Sequence, residues 1–392
     1  MLVRLLGRPL STLLAYTSSP MVPLLAAFAA SLLITFWIVR SRAGRAGAAQ
    51  DLDLTGPQKF HTRPVPRIGG VGIFAGMLFG LGVAALSAGG GMAEAAALWA
   101  CGLFAFGAGL AEDLTKRVRP AVRLAFTGLS AVAAIMALDA VIDRIPIPGL
   151  DWLVSLPAGA VCITVFAVAG VANSVNIIDG FNGLASMCAA IMLASFGYVA
   201  FQVGDTLVLT MALVGIGAIL GFFFWNFPHG LVFLGDGGAY FVGFWVAETA
   251  ILLVHRNQQV SPLFPLLACI YPIFETLFSV YRRVVVRERP AGMPDGIHLH
   301  SLLYRRIMRW AVGRRGRRSV ERRNSMTSPY LWMLCMMAVV PAMLFWQHTV
   351  LLAVCIGVFG LTYVLLYRAI VRFRTPRILV VSRWRDSATR GP

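Results

Sequence analysis

The 392-residue chain is 58% hydrophobic and only 13% charged, half the charge that an ordinary water-facing domain carries. A soluble enzyme, a disordered chain and a secreted disulfide scaffold are excluded, and the six cysteines (Cys101, Cys162, Cys188, Cys269, Cys335 and Cys355) sit in apolar runs without C-x-x-C spacing. The net charge of +17 points to nucleic acid only if the basic residues are not already explained by membrane orientation.

Crossing a bilayer takes about 20 mostly apolar residues. Residues 1–19 form an N-terminal segment. With no convincing small-residue cleavage site, the first span reads as an uncleaved anchor. Eleven spans follow in chain order, at 20–39, 69–88, 93–111, 121–138, 154–172, 183–202, 206–227, 237–254, 262–281, 329–346 and 348–367. This predicts an all-α polytopic membrane protein with one transmembrane domain over 20–367, including a basic loop at 282–328, and a basic tail at 368–392. No internal repeat or separate soluble domain is visible. The loops after odd-numbered spans hold 30 of the 34 Lys and Arg residues. That imbalance predicts that these loops and the C-terminus are cytoplasmic and the N-terminus is outside. The arginine-rich run from Tyr304 to Arg323 reads as an interfacial segment against anionic lipid, so no basic surplus argues for nucleic acid.

Only 17 acidic residues are present, so their placement is informative. Glu112, Asp113, Asp179, Asp236 and Asp295 fall in short loops on the predicted cytoplasmic side. A helical bundle can gather these loops at one face. Carboxylates, the amides of Asn173 and Asn176, and the imidazoles of His298 and His300 suit a hard divalent cation shared with a phosphorylated ligand. The loops at Asp179 and Asp236 contain no Lys or Arg, which leaves their carboxylates without local cationic partners. Each piece also has a plain structural reading. Glu112-Asp113 can be a solvated loop, Asp236 a helix N-cap, and the two histidines surface residues. Asn173, Asn176 and Asp179 share one helix side, and polar groups at membrane depth are costly without partners. Glu275 is expected to pair with Arg282 or Arg283. In the loop after the first span, Lys59, His61, Arg63 and Arg67 precede Gly69-Gly70 at a helix start, an arrangement that suits an anion or an ordinary positive-inside loop.

This ordered set, above all Asn173-Ser-Val-Asn-Ile-Ile-Asp-Gly-Phe-Asn-Gly-Leu-Ala185, resembles the polyprenyl-phosphate N-acetylhexosamine-1-phosphate transferase superfamily. The likeness runs from about Asp51 to Arg306. It implies transfer of a sugar-1-phosphate from a UDP-N-acetylhexosamine to a polyprenyl phosphate such as undecaprenyl phosphate, with release of UMP. Mg²⁺ would be the cofactor, with Mn²⁺ as the alternative ion. It implies further that Asp236 and Asp179 bind the metal and that Glu112, Asp113, Asp179, His298 and His300 form the catalytic group. Lys59, His61, Arg67, Lys116, Asn173, Asn176, Asn182 and Phe233 would contact substrate, Phe233 by stacking on uracil.

Departures from the family pattern are Glu112 where Asp is common, Asn182 where many members have Asp, Gln58 before Lys59, and a His298-Leu-His-Ser301 loop lacking a run of three histidines. The last favours a WecA-like enzyme that starts a surface polysaccharide or O-antigen over the phospho-MurNAc-pentapeptide translocase. The expected location is a bacterial inner membrane with a cytoplasmic active site, and a homodimer is compatible with the sequence. A transporter is the competing reading, but the acids gather at one face and no paired broken helices appear. A CDP-alcohol phosphotransferase is disfavoured because its spaced DGxxAR…GxxxDxxxD pattern is absent.

Overall fold

Apolar runs that cross a bilayer must satisfy their backbone groups internally, and helices do this within one segment. In the computed structural model, which describes residues 20–41, 50–51, 64–87, 92–147, 149–286, 288, 297–308 and 317–372, the apolar runs are helical. The helices begin with α1 (Met21–Ser41), α2 (Gly70–Ser87), α3 (Ala93–Cys101), α4 (Leu103–Thr115) and α5 (Pro120–Leu138). Next come a short α6 (Leu150–Ser155), α7 (Pro157–Ile178), α8 (Leu184–Val203), α9 (Thr206–Asn226) and α10 (Gly235–Arg256). The last are α11 (Leu263–Ala268), α12 (Ile270–Tyr281), a one-turn α13 (Leu299–Leu302), α14 (Arg317–Leu344) and α15 (Thr349–Val371). Proline opens α5 and α7, where its missing N–H would have had no helical partner. Asp205 caps α9 by accepting from the Val208 amide at 3.1 Å.

Among the described residues, nine helices are long and apolar enough to cross a membrane, α3 and α4 counting as one. The other two expected spans differ. The span at 69–88 is the shorter helix α2. The span at 262–281 is broken into α11 and α12 at Cys269. Pro272 explains the break, because its ring cannot accept the close approach of the Ala268 carbonyl four residues earlier. The expected loop before the tenth span is in part helical, since α14 starts at Arg317.

Helix α10 is the axis of the molecule. Its most apolar stretch is entirely buried, whereas α15 is only 17% buried along the corresponding stretch and presents its side chains outward. Helices α4 and α7 flank α10, and α1 lies against α2 and α9. A two-residue antiparallel pair, β1 (Gln50–Asp51) with β2 (Val65–Pro66), leads into α2. Thus the starts of α2 and α10 and the ends of α4 and α7 are brought to one end of the bundle.

Candidate active site

The site is assembled around the first turn of α10. Backbone bonds fix the approach: the Phe233 amide donates to Pro66 O at 2.8 Å, and the Gly69 and Gly70 amides donate to the carbonyls of Phe233 and Leu234 at 2.9 Å each. The sequence left these amides open to either reading, an anion site or an ordinary positive-inside loop. They are instead spent on the neighbouring loop, because a two-segment ladder leaves no N–H for a ligand. Gly235 takes φ +76° with the Arg67 carbonyl where a Cβ would stand, so a side chain is excluded there twice over. A Cβ on Gly109 would come within 2.5 Å of the Gly237 nitrogen, so α4 touches α10 backbone to backbone.

That contact delivers Asp113 to the start of α10. Its two carboxylate oxygens accept from the Asp236 and Gly237 amides, both at 2.9 Å. Asp113 therefore satisfies helix-terminal donors that have no partner within α10. Its neighbour Glu112 accepts from the Val118 amide at 2.7 Å and shapes the turn in which Lys116 has φ +57°. Both members of the acidic pair that the resemblance placed in the catalytic group are engaged with backbone amides.

Asp236 is surrounded by donors. Arg123 bonds its Oδ2, Arg67 lies 3.6 Å from its Oδ1, and Asn176 donates to the same oxygen at 2.9 Å. This carboxylate has no cationic partner within its own loop, as expected, but other segments supply two, which a search within one loop cannot see. Arg123 also lies over the Tyr240 ring, 5.5 Å from its centroid, and the Tyr240 hydroxyl donates to Asn173 Oδ1 at 3.3 Å. Asp179, just past the end of α7, makes no hydrogen bond or ion pair in the structure, although it is only partly exposed. Burial pushes its carboxyl up to about 7, with Arg67 opposing the rise and the charges of Asp236 and Asp113 adding to it.

The histidine loop closes the other side. His298 Nδ1 lies 3.1 Å from Glu275 Oε1, and the His298 and His300 rings stack with centroids 5.1 Å apart. His300 meets the Phe181 ring edge-on at 5.4 Å, which seats the loop against the Asp179–Phe181 turn. Glu275 was expected to pair with Arg282 or Arg283. Its observed partners are His298, the Leu299 amide at 3.0 Å and the Tyr363 hydroxyl at 2.7 Å, while Arg282 reaches the Ile297 carbonyl and Tyr367. The histidine loop folds over α12 and intercepts the carboxylate first.

Of the other expected residues, Phe233 is partly exposed beside Asp236. Asn182 is committed to the protein: its amide donates to Asn324, its side chain to the Pro228 carbonyl, and its carbonyl accepts from Ser328. Lys59, His61 and Asp295 lie outside the described residues. Arg123 and Tyr240 were not singled out in the sequence. Arg123 had been counted only towards orientation, and Tyr240 is recognisable only as one helical turn beyond Asp236.

Among the described residues no group of three or more His, Cys, Asp or Glu side chains is arranged around a metal position. Asp179, uncommitted, and Asp236, at the same site, are a hard-oxygen set that fits Mg²⁺, which uses one or two carboxylates and completes its shell with water and phosphate oxygens.

Known proteins are similar to this chain over the segments that form the site. The family model described as glycosyl transferase family 4 matches residues 95–254, which include the Asp113, Asn173–Asp179 and Asp236 segments. The chain is 29% identical over 290 residues to a probable undecaprenyl-phosphate N-acetylglucosaminyl 1-phosphate transferase of Bacillus subtilis, covering 72% of this chain and 78% of the relative. It is 27% identical over 303 residues to a decaprenyl-phosphate N-acetylglucosaminephosphotransferase of Mycobacterium tuberculosis, covering 68% and 70%. A phospho-N-acetylmuramoyl-pentapeptide-transferase of Streptococcus thermophilus is 40% identical, but over 93 residues that cover only 24% of this chain and 27% of the relative. The chain is thus similar to glycosyl transferase family 4 over residues 95–254 and, over 68–72% of its length, to polyprenyl-phosphate N-acetylglucosamine-1-phosphate transferases.

Proposed function

We propose that this protein transfers an N-acetylhexosamine-1-phosphate from a UDP-sugar to a membrane polyprenyl phosphate, with release of UMP. The observation that carries this reading is the convergence of Arg67, Arg123 and Asn176 on Asp236, beside the uncommitted carboxylate of Asp179, at one end of a buried helix. Two phosphorylated reactants repel each other, and fixed cations in a site of low dielectric lower that repulsion. The names of the relatives, with undecaprenyl or decaprenyl phosphate as acceptor and N-acetylglucosamine as the sugar, support the same class of reaction.

The basic loops support a site at the cytoplasmic face of a bacterial inner membrane, and the product would begin a lipid-linked cell-surface polysaccharide or O-antigen. The acceptor phosphate has a second pKa near about 6 and is largely ionised at neutral pH. One of its oxygens attacks the donor β-phosphorus directly. The bond from that phosphorus to the bridging oxygen breaks, and UMP departs with the electron pair. No strong base is needed, in keeping with Glu112 and Asp113 being held by amides. Asp113 fixes the first turn of α10, while Arg67, Arg123, Lys116 and the two histidines face phosphate oxygens. Phe233 offers its ring to uracil. Asp236 and Asp179 would hold Mg²⁺, or Mn²⁺, which when bound supplies charge neutralisation at the transferring phosphoryl group.

The test is a panel of UDP-N-acetylhexosamines with purified protein and undecaprenyl phosphate, scored by UMP and lipid-linked product. Product should appear for at least one donor and vanish on chelation of divalent cations. Uptake of a labelled solute into proteoliposomes without UMP release would overturn the reading in favour of transport.

A further inference from the structure

Glu275 is a buried carboxylate in α12, 1% exposed. It receives three donors from two parts of the chain. The Leu299 amide and His298 Nδ1 meet Oε1, at 3.0 and 3.1 Å, and the Tyr363 hydroxyl of α15 donates to Oε2 at 2.7 Å. A group surrounded only by donors acts as an acceptor, so the proton between Glu275 and His298 belongs to Nδ1. That bond selects one tautomer of the imidazole and fixes the plane of its ring. Stacking at 10° then carries the orientation to His300, and His300 abuts Phe181 next to Asp179. The last helix is clamped to the same loop by further bonds. Tyr367 donates to the Ile297 carbonyl at 3.3 Å, and Arg306 reaches the Ile370 and Val371 carbonyls at 2.6 and 2.5 Å.

We infer that Glu275 and Tyr363 are positioning residues of the transferase site: they hold His298 as its Nδ1–H tautomer and thereby set both imidazoles beside the Asp179 turn. This makes α15, which lies well beyond the region matched by the family model, part of the catalytic apparatus. The inference rests on the proposed transfer reaction for its kinetic consequence, but not for its structural one. Removing a partner that orients a functional histidine typically lowers activity about 10- to 100-fold.

Two measurements test it. The chain contains six histidines, so nitrogen-15 spectra of histidine-labelled protein can resolve His298, assigned by its loss in His298→Gln. His298 should carry its proton on Nδ1 in the wild type and lose that preference in Glu275→Gln. A wild-type His298 protonated on Nε2 alone overturns the proposal whatever the activity. In the UMP-release assay, Glu275→Gln should lower kcat about 10- to 100-fold, with KM for the UDP-sugar within about threefold. Tyr363→Phe should lower it less, by about three- to tenfold. In a His298→Ala background, Glu275→Gln should add almost nothing, since its effect passes through the ring. Full multiplicative losses in that double variant, or wild-type kinetics in Glu275→Gln, overturn the inference while leaving the transferase reading intact. Correct tautomers in a protein that transfers no sugar-phosphate would instead sink the transferase reading and keep the tether.

Discussion

The two ends of α10 carry similar residues and do different things. At its far end Arg256 pairs with Asp205 at 2.9 Å, Asn257 donates to the same carboxylate at 3.0 Å, and His255 lies 3.1 Å from Asp143. Arg144 caps that end through the carbonyls of Val254, Asn257, Gln258 and Val260, at 2.7 to 3.0 Å. A cavity of about 490 Å³ opens there, lined by Asp205, His255, Arg256 and Asn257 among others. Even so, its cations and acids neutralise one another, and a cation at a helix C-terminus is where the peptide dipoles favour it. At the near end an acid, Asp236, stands at the helix N-terminus with two arginines, and Asp179 makes no hydrogen bond or ion pair among the described residues. A cluster of charges next to a cavity does not make a site. A carboxylate left over after the pairing, with fixed cations close by, does.

The largest expected contrast is therefore in activity. Asp236→Asn should reduce UMP release about a thousandfold or more, because it removes charge where the phosphoryl group is transferred. Asp205→Asn at the far end should leave it within about threefold. Equal losses at both ends would erase the distinction. Next in size is packing: Gly109→Ala places a methyl group 2.5 Å from the Gly237 nitrogen, with a cost of about 1–3 kcal/mol and lower activity. Thermal unfolding in detergent and the UMP assay measure both. Asp205→Ala should cost about 1–3 kcal/mol by leaving the Val208 amide and Asn257 without their acceptor, with kcat unchanged.

A smaller effect follows from Asp179. Its carboxyl titrates near 7 in the folded protein and near about 4 when unfolded. Between those values the folded state holds a proton that the unfolded state has lost, so stability falls as pH rises through this window. The midpoint of thermal unfolding without divalent ions should drop by about 1–3 °C between pH 5 and pH 8 on this account, and Asp179→Asn should flatten the trend. Mg²⁺ at pH 8 should raise the midpoint of the wild type more than that of the variant. The smallest effect is expected midway along α10. Glu248 is fully buried and neither of its oxygens has a hydrogen-bond partner. Glu248→Gln should stay within about 1 kcal/mol of wild-type stability and leave activity unaltered.

Much of this was readable from residue order. The spans were legible because hydropathy is a local property summed over about 20 neighbours. The segments at Asp113, Asn173–Asp179, Asp236 and His298 announced themselves as scarce polar groups at helix ends in an apolar chain. What was not legible is how those groups pair. Arg123 looked like one more orientation charge, since 113 residues separate it from Asp236. Glu275 looked like the partner of the nearby arginines, yet it took His298 from 23 residues away and Tyr363 from 88. Gly69-Gly70 could be read as an anion cradle or as part of an ordinary positive-inside loop, and its amides bond to the loop before α10.

The sequence by itself determined that this protein lives in a membrane, which segments are helical, and which few polar residues must be accommodated there, because each of these follows from the cost of placing given side chains in hydrocarbon. Only the tertiary structure decided which acids are used up as acceptors for amides and which remain for chemistry. Hydrogen bonds and ion pairs act over about 3–4 Å, and distances that short are set by which helices touch, through contacts such as Gly109 on Gly237, and not by spacing along the chain.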